Sequence, residues 1–192
     1  MYFNMKNPWT IKSESKIYDN SWINVTEFKV LTPKGTDGIY GKVHFKNIAV
    51  GIVPIDENGD TYLVGQYRFT INQYSWEMPE GGCLIGKEMP LEAAKRELVE
   101  ETGLIAAYWD EIMQLHTSNS VTDELAYVFL AKGLTMVQSN PEDTESLEII
   151  RLPFVEAFSM VLSGKITDAF TVAAYYKVNY LLEKGLLAYN PK

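Results

Sequence analysis

The chain has 192 residues, 46% of them hydrophobic, which suits one folded domain with a modest appendage and argues against disorder. Its formal net charge of −8 weighs against a nucleic-acid partner, whose phosphates need a basic footprint, but allows a small diphosphate held through cations. No apolar run is long enough for a membrane span, residues 1–16 lack a signal-peptide pattern, and the single cysteine fits a reducing, cytoplasmic setting.

Strands are expected from Trp9 to Phe45. Ile23, Val25, Phe28 and Val30 are β-formers, 33–38 is a Pro/Gly turn, and Tyr40 to Phe45 alternates again. Two or three strands are marginal alone. Residues 1–46 therefore read as a β segment that packs on the rest of the chain or on a second copy, ahead of a domain over 47–192. A strand at Ile48–Ile55, a turn at 56–60 and a strand at Tyr62–Tyr67 give a hairpin signal. A short strand, Tyr74–Glu77, then delivers a stretch whose Pro79, Gly81, Gly82 and Gly86 predict no regular structure. Cys83 within it reads as a small loop residue, with no base near it in sequence.

Pro90 suits the first position of a helix, 91–102 are mostly good helix formers, and Gly103 is a left-handed stop. Strands follow at 106–115, 126–131 and 147–152, separated by a polar loop, 116–124, and an acidic one, 138–145. Helices at 154–162 and 169–182 close the chain. This order predicts an α/β/α sandwich around a mixed sheet. His44 and His116 read as ordinary polar residues, because no second His or Cys completes a transition-metal set.

On the 91–102 helix, Leu91, Ala94 and Leu98 share an inward stripe, and Glu97, Glu100 and Glu101 share another face. Like charges at that spacing repel by some tenths of a kcal/mol per pair. The face is either simply solvated or is offset by a hard divalent cation such as Mg²⁺.

The spacing runs Gly82, five residues, Glu88, seven residues, Arg96-Glu97-Leu98, one residue, Glu100-Glu101, one residue, Gly103-Leu104. This resembles the Nudix box at every defined position. The resemblance implies hydrolysis of a diphosphate linked to another group, using water and Mg²⁺ or Mn²⁺, with two or more ions per site. Gln66-Tyr67-Arg68, Trp76-Glu77-Met78-Pro79 and the stretch from Ser163 to Thr171 are similar to the branch that hydrolyses ADP-ribose and nucleoside diphosphate sugars. In that branch an N-terminal β segment makes a homodimer and lends aromatics to the partner's nucleotide site. Trp22 and Tyr40 stand where some members place two aromatics around the base. Two features depart from the branch: no proline lies near Asn119 or Ser120, and Glu80-Gly81 precedes Gly82 where alanine is usual.

The resemblance implies Glu97, Glu100, Glu101 and the carbonyl of Gly81 as metal ligands, with Glu100 and Glu101 in the catalytic set. Glu88 and Arg96 would brace the loop to the helix, between the fixed glycines Gly82 and Gly103. Glu124 matches a loop glutamate that acts as base, with Asp123 as fallback and a solvated strand-start residue as the other reading. Arg68 holds a phosphate or makes a surface ion pair; Trp22 and Tyr40 stack a base or pack an interface. The expected activity is cleavage of ADP-ribose or a related nucleoside diphosphate sugar into a nucleoside monophosphate and a sugar phosphate. The alternatives are a Nudix hydrolase for GDP-mannose or a dinucleotide, and a non-catalytic nucleotide-sugar-binding regulator.

Overall fold

The computed structural model describes residues 6–137 and 147–187. The acidic loop expected at 138–145 lies outside the described residues. The chain divides into two compact units. The first holds the described residues up to Asn47 together with Ser118–Glu124, and the second holds Ile48–Thr117 and the described residues from Leu125 onward.

The first unit is a three-stranded antiparallel sheet, β1 (Thr10–Asp19), β2 (Ile23–Leu31) and β3 (Asp37–Phe45), in that order. β2 and β3 pair in unbroken register from Ile23 opposite Phe45 to Leu31 opposite Asp37. β1 is exposed along its whole length.

In the second unit, β4 (Asn47–Pro54), β7 (Glu80–Leu84), β8 (Leu104–His116) and β9 (Leu125–Met136) form a four-stranded mixed sheet, ordered β7-β4-β9-β8. β4 and β9 run parallel, and β8 and β9 antiparallel. A second, antiparallel sheet has the order β10-β5-β6, from β5 (Asp60–Arg68), β6 (Gln73–Glu77) and β10 (Glu148–Pro153). Three helices complete the unit: α1 (Pro90–Thr102), α2 (Phe154–Leu162) and α3 (Ala169–Glu183).

Strand alternation builds the sandwich. Val50 and Ile52 of β4, with Phe129 and Ala131 of β9, face Ala93, Ala94 and Leu98 of α1. Val53 and Ile55, with Ala126, Val128 and Leu130, face Phe154, Ala157 and Val161 of α2 and Phe170, Ala174 and Val178 of α3. Helices thus cover both faces, as the element order predicts, although the strands are shared between two sheets.

Two expectations need correction. The hairpin signal at 48–67 gives two strands that meet only at one bridge, Ile55 with Thr61. The reason is that both edges of β4 are taken. β9 pairs with it over Ala49–Pro54, and on the other side Ile52 N–H donates to the Pro79 carbonyl at 2.8 Å. The Gly-rich stretch also contains a strand, β7, because Gly81 and Gly82 keep extended backbone while Gly86, at φ 76°, makes the turn. Among the described residues no helix is long and apolar enough to cross a membrane.

Candidate active site

α1 starts at Pro90 and stops at Gly103, whose φ of 69° and N–H bond to the Val99 carbonyl make the left-handed cap that the glycine predicts. Ala93, Ala94 and Leu98 are buried. On that same side of the helix, Glu97 and Glu101 turn their carboxylates toward β7.

Arg96 ties these groups together. Its Nη1 donates to Glu97 Oε1 at 2.9 Å and to Glu100 Oε2 at 2.8 Å. Its Nη2 donates to the Gly82 carbonyl at 3.0 Å and to Glu88 Oε1 at 3.1 Å. Burial works against the charged guanidinium, but Glu88, Glu100 and Glu97 outweigh it and hold Arg96 protonated. These bonds join the Gly82–Glu88 stretch to α1.

The two ends of the cluster hold main-chain amides. Glu97 Oε1 accepts the Gly82 N–H at 3.1 Å, and Glu101 Oε2 accepts the Glu80 N–H at 2.9 Å. Burial pushes the Glu97 carboxyl above its ordinary range, against the pull of Arg96 and the Gly82 amide. Glu101 is 3% exposed. A Cβ at Gly81 would overlap the Glu97 carboxyl group, so glycine there lets the helix and the loop close together. Cys83 is buried against α1 and burial raises its thiol pKa, which fits the inert reading.

The donor set suits a hard divalent cation in kind: carboxylate oxygens beside the half-buried backbone of Gly81 and Gly82. A second observation supports the match. Glu80 Oε2 is buried without a hydrogen-bond partner among the described residues. The side chains do not converge as they stand, however, and among the described residues no three His, Cys, Asp or Glu groups already surround one point. Arg96 occupies the electrostatic place, so ligation would require Glu97 and Glu100 to turn away from it.

Arg68, at the end of β5, bonds Glu77 through both Nε and Nη2 and reaches Glu80 Oε1 at 2.7 Å. Glu77 and Glu80 override the burial of Arg68 and keep it charged. Glu80 in turn is pushed well above its ordinary pKa by burial, then by Asp168 and Glu77. The structure thus places Arg68 in an ion-pair network with carboxylates that sequence reasoning missed. The available signal was Glu80 standing beside Gly81 in an otherwise Gly-rich loop.

The other candidates lie in the first unit. Trp22 precedes β2, whereas Tyr40 sits opposite Phe28. Six ladder positions separate them, roughly 20 Å at the rise of a strand. Tyr40 meets Trp9 instead, edge to face at 5.5 Å, and its hydroxyl donates to the Ser120 carbonyl at 2.8 Å. Trp9, Tyr40, Phe28 and Lys42 line a cavity of about 420 Å³ with residues 119–122. Asp123 accepts from His44 Nδ1 at 2.8 Å, from Lys42 Nζ at 3.2 Å and from the Phe45 N–H at 3.2 Å. Glu124 follows it, directly before β9.

The family described as NUDIX domain matches residues 45–168. An ADP-ribose pyrophosphatase of Mycobacterium tuberculosis (strain ATCC 25618 / H37Rv) is 36% identical over 133 residues, 68% of this chain and 64% of the relative. The chain thus spans slightly under two thirds of that protein. An ADP-ribose pyrophosphatase of Bacillus subtilis (strain 168) is 32% identical over 141 residues, 72% of this chain and 74% of the relative. A solved structure titled as an ADP compounds hydrolase superposes with a TM-score of 0.83, covering 96% of this chain and all of that one; at 22% identity it speaks for the fold. With the family match spanning well over half the chain and enclosing the whole of α1 and its carboxylates, this protein belongs to the Nudix family.

Proposed function

We propose that the protein hydrolyses the diphosphate bond of ADP-ribose or a related nucleoside diphosphate sugar, with Mg²⁺ or Mn²⁺ as cofactor and two or more ions per site. The observation that carries this reading is the acidic face of α1, folded against the Gly81–Gly82 backbone and braced by Arg96. Glu97, Glu100, Glu101 and the Gly81 carbonyl are the proposed ligands. A bound divalent cation supplies charge neutralisation on the diphosphate and lowers the pKa of water. Arg96 and Glu88 hold the loop in register with the helix. Arg68 keeps the β5–β7 corner closed through Glu77 and Glu80 and has a phosphate role only where it leaves them. Water adds to one phosphorus, the bridging P–O bond breaks, and Glu124 takes the proton. The products are a nucleoside monophosphate and a sugar phosphate.

We also propose a homodimer in the cytoplasm, with residues 1–46 as the pairing segment. Ile11, Ile17 and Ile39 on the first unit's sheet, and Trp22 just before β2, are all more than half exposed, apolar surface that a second copy would cover. The separation of Trp22 from Tyr40 supports a base held between aromatics of different chains. The test is a product screen of purified protein with Mg²⁺ against ADP-ribose, ADP-glucose, GDP-mannose and dinucleotides. Nucleoside monophosphate from a nucleotide sugar, abolished by chelator, is the expected result. Absence of turnover on every substrate, with binding retained, would favour the regulator reading.

A further inference from the structure

We propose that Thr171 is a positioning residue for the metal site, a role that rests on Gly81 and the α1 carboxylates being its ligands. The Thr171 hydroxyl, set by the N-cap of α3, fixes Met78 and thereby the place of the Gly81 carbonyl.

The stretch from Ser163 to Thr171 leads into α3. Asp168 is the N-cap of that helix, and its Oδ2 accepts the Thr171 N–H at 2.6 Å. This bond sets the first turn and with it the direction of the Thr171 side chain. Ile166 and Phe170, on either side of the cap in sequence, are buried, so the turn is seated in the core. Thr171 is wholly buried, and its Oγ1 accepts the Met78 N–H at 3.1 Å. The Met78 side chain is buried as well, and a Cβ at Gly51 would overlap both its methyl and the Phe170 ring. One residue on, the Pro79 carbonyl accepts the Ile52 N–H at 2.8 Å. Met78 and Pro79 are thus clamped between α3 and β4, just ahead of Glu80 and Gly81.

On the α1 side, the same stretch is held by groups that a cation would claim. Glu101 holds the Glu80 N–H, and Glu97 holds the Gly82 N–H. Both carboxylates are proposed ligands, so ligation competes with these bonds. The bonds from Thr171 and Ile52 involve no ligand side chain and persist when the carboxylates turn. The Ile52 bond joins main chain to main chain within the sheet. Thr171 makes its bond with a side chain, from an element outside the sheet. Pro79 has a fixed φ and keeps Met78 extended, so a displacement of Met78 passes on toward Gly81 rather than being absorbed. A buried Met78 N–H without an acceptor would draw the main chain toward another partner. The Gly81 carbonyl would move with it. A small hard cation demands near-ideal octahedral placement of its oxygens, so such a shift weakens binding.

The test is Mn²⁺ binding to the full-length protein without substrate, followed by electron paramagnetic resonance, together with hydrogen exchange at single amides. Thr171→Val keeps size and branching but removes the acceptor. It should raise the Mn²⁺ Kd by about 10-fold, the low end of what losing an outer hydrogen-bond partner costs. Exchange at the Met78 amide should speed up relative to that at Ile52. Thr171→Ser keeps the hydroxyl and should hold Kd within about 2-fold of the parent. Val178→Ala, buried and roughly two turns further along α3, controls for lost stability alone. It should melt lower, yet keep the parental Kd and the parental ratio of exchange at Met78 and Ile52. If Thr171→Val does not fold, Thr171→Ala takes its place and should show the same contrast with Thr171→Ser. A parental Kd in the variant lacking the hydroxyl would overturn the positioning role, as would an equal rise in Thr171→Ser or Val178→Ala. A parent that binds no Mn²⁺, or a Glu101→Gln protein that binds it as tightly as the parent, would instead remove the ligand reading, and this role with it.

Discussion

Glu101 illustrates how burial and charge divide at one residue. Its carboxylate accepts the Glu80 amide and is almost wholly enclosed. Glu101→Gln keeps an oxygen for that amide but removes a charge. Turnover should fall by at least about 100-fold, roughly 2.7 kcal/mol of lost transition-state stabilisation. The metal-free variant should melt no lower than the metal-free parent, since like-charge repulsion is relieved; steady-state rates and melting curves in chelator check both. Glu80 and Glu97 carry a pH consequence. Both have folded-state pKa values raised above the unfolded ones. Their contribution is therefore fully present below the ordinary carboxylate range and is lost as pH rises through the raised values. In chelator, the melting temperature should climb as pH is lowered from about 8 to about 5, and Glu80→Gln should flatten the climb. Asp123 does not mask this, because its lowered pKa makes its loss fall below that window. A melting temperature that drops over the same span would refute the account. The acidic set on α1 was legible because its members are close in sequence. The partners of Arg68 and Asp123 were not, because Arg68 meets Glu77 and Glu80 only through the turn between β5 and β6, and Asp123 meets His44 from 79 residues away.

At the scale of elements, α1 and β7 form one device, with Gly81 as the point of closest approach. Gly81→Ala removes none of the proposed ligand groups yet pushes the Glu97 carboxyl out of its position. Because that group is the far end of a flexible side chain, the cost to stability should be small, about 1 kcal/mol or less. The concentration of Mg²⁺ needed for half-maximal activity should rise. A titration unchanged from the parent would show that Glu97 does not need the place it holds here. The helix limits, both late helices and most strands could be read directly, since Pro90, Gly103 and apolar periodicity act locally. Sheet membership could not. The run 48–67 carries every local mark of a hairpin, but β4 gives its hydrogen bonds to β9 and β7, and only the tertiary pairing decides that.

For the whole molecule, the proposed homodimer makes a mixing test possible. Trp22→Ala is the better aromatic variant, because Tyr40 also holds the Ser120 carbonyl and its loss would disturb the loop. Trp22→Ala and Glu101→Gln proteins should each be poor alone at low substrate. After re-equilibration, half of the dimers are mixed and each regains one intact site, so about a quarter of all sites should work. A monomer in sedimentation at assay concentration, or a mixture no better than the sum of its parts, would refute a shared site.

The discontinuous make-up of the first unit bears on the order in which the chain assembles. β1 to β3 are synthesised before the segment that completes their unit, which follows some seventy residues later. Joining His44 to Asp123 closes a long loop, whose entropy is repaid only after the intervening chain has become compact. This sheet, although made before the second unit, should therefore gain protection after it. In pulse-labelled refolding, the amides of Val43 and Phe45 should become protected after those of Ile52 and Ile55, which bond within the second unit.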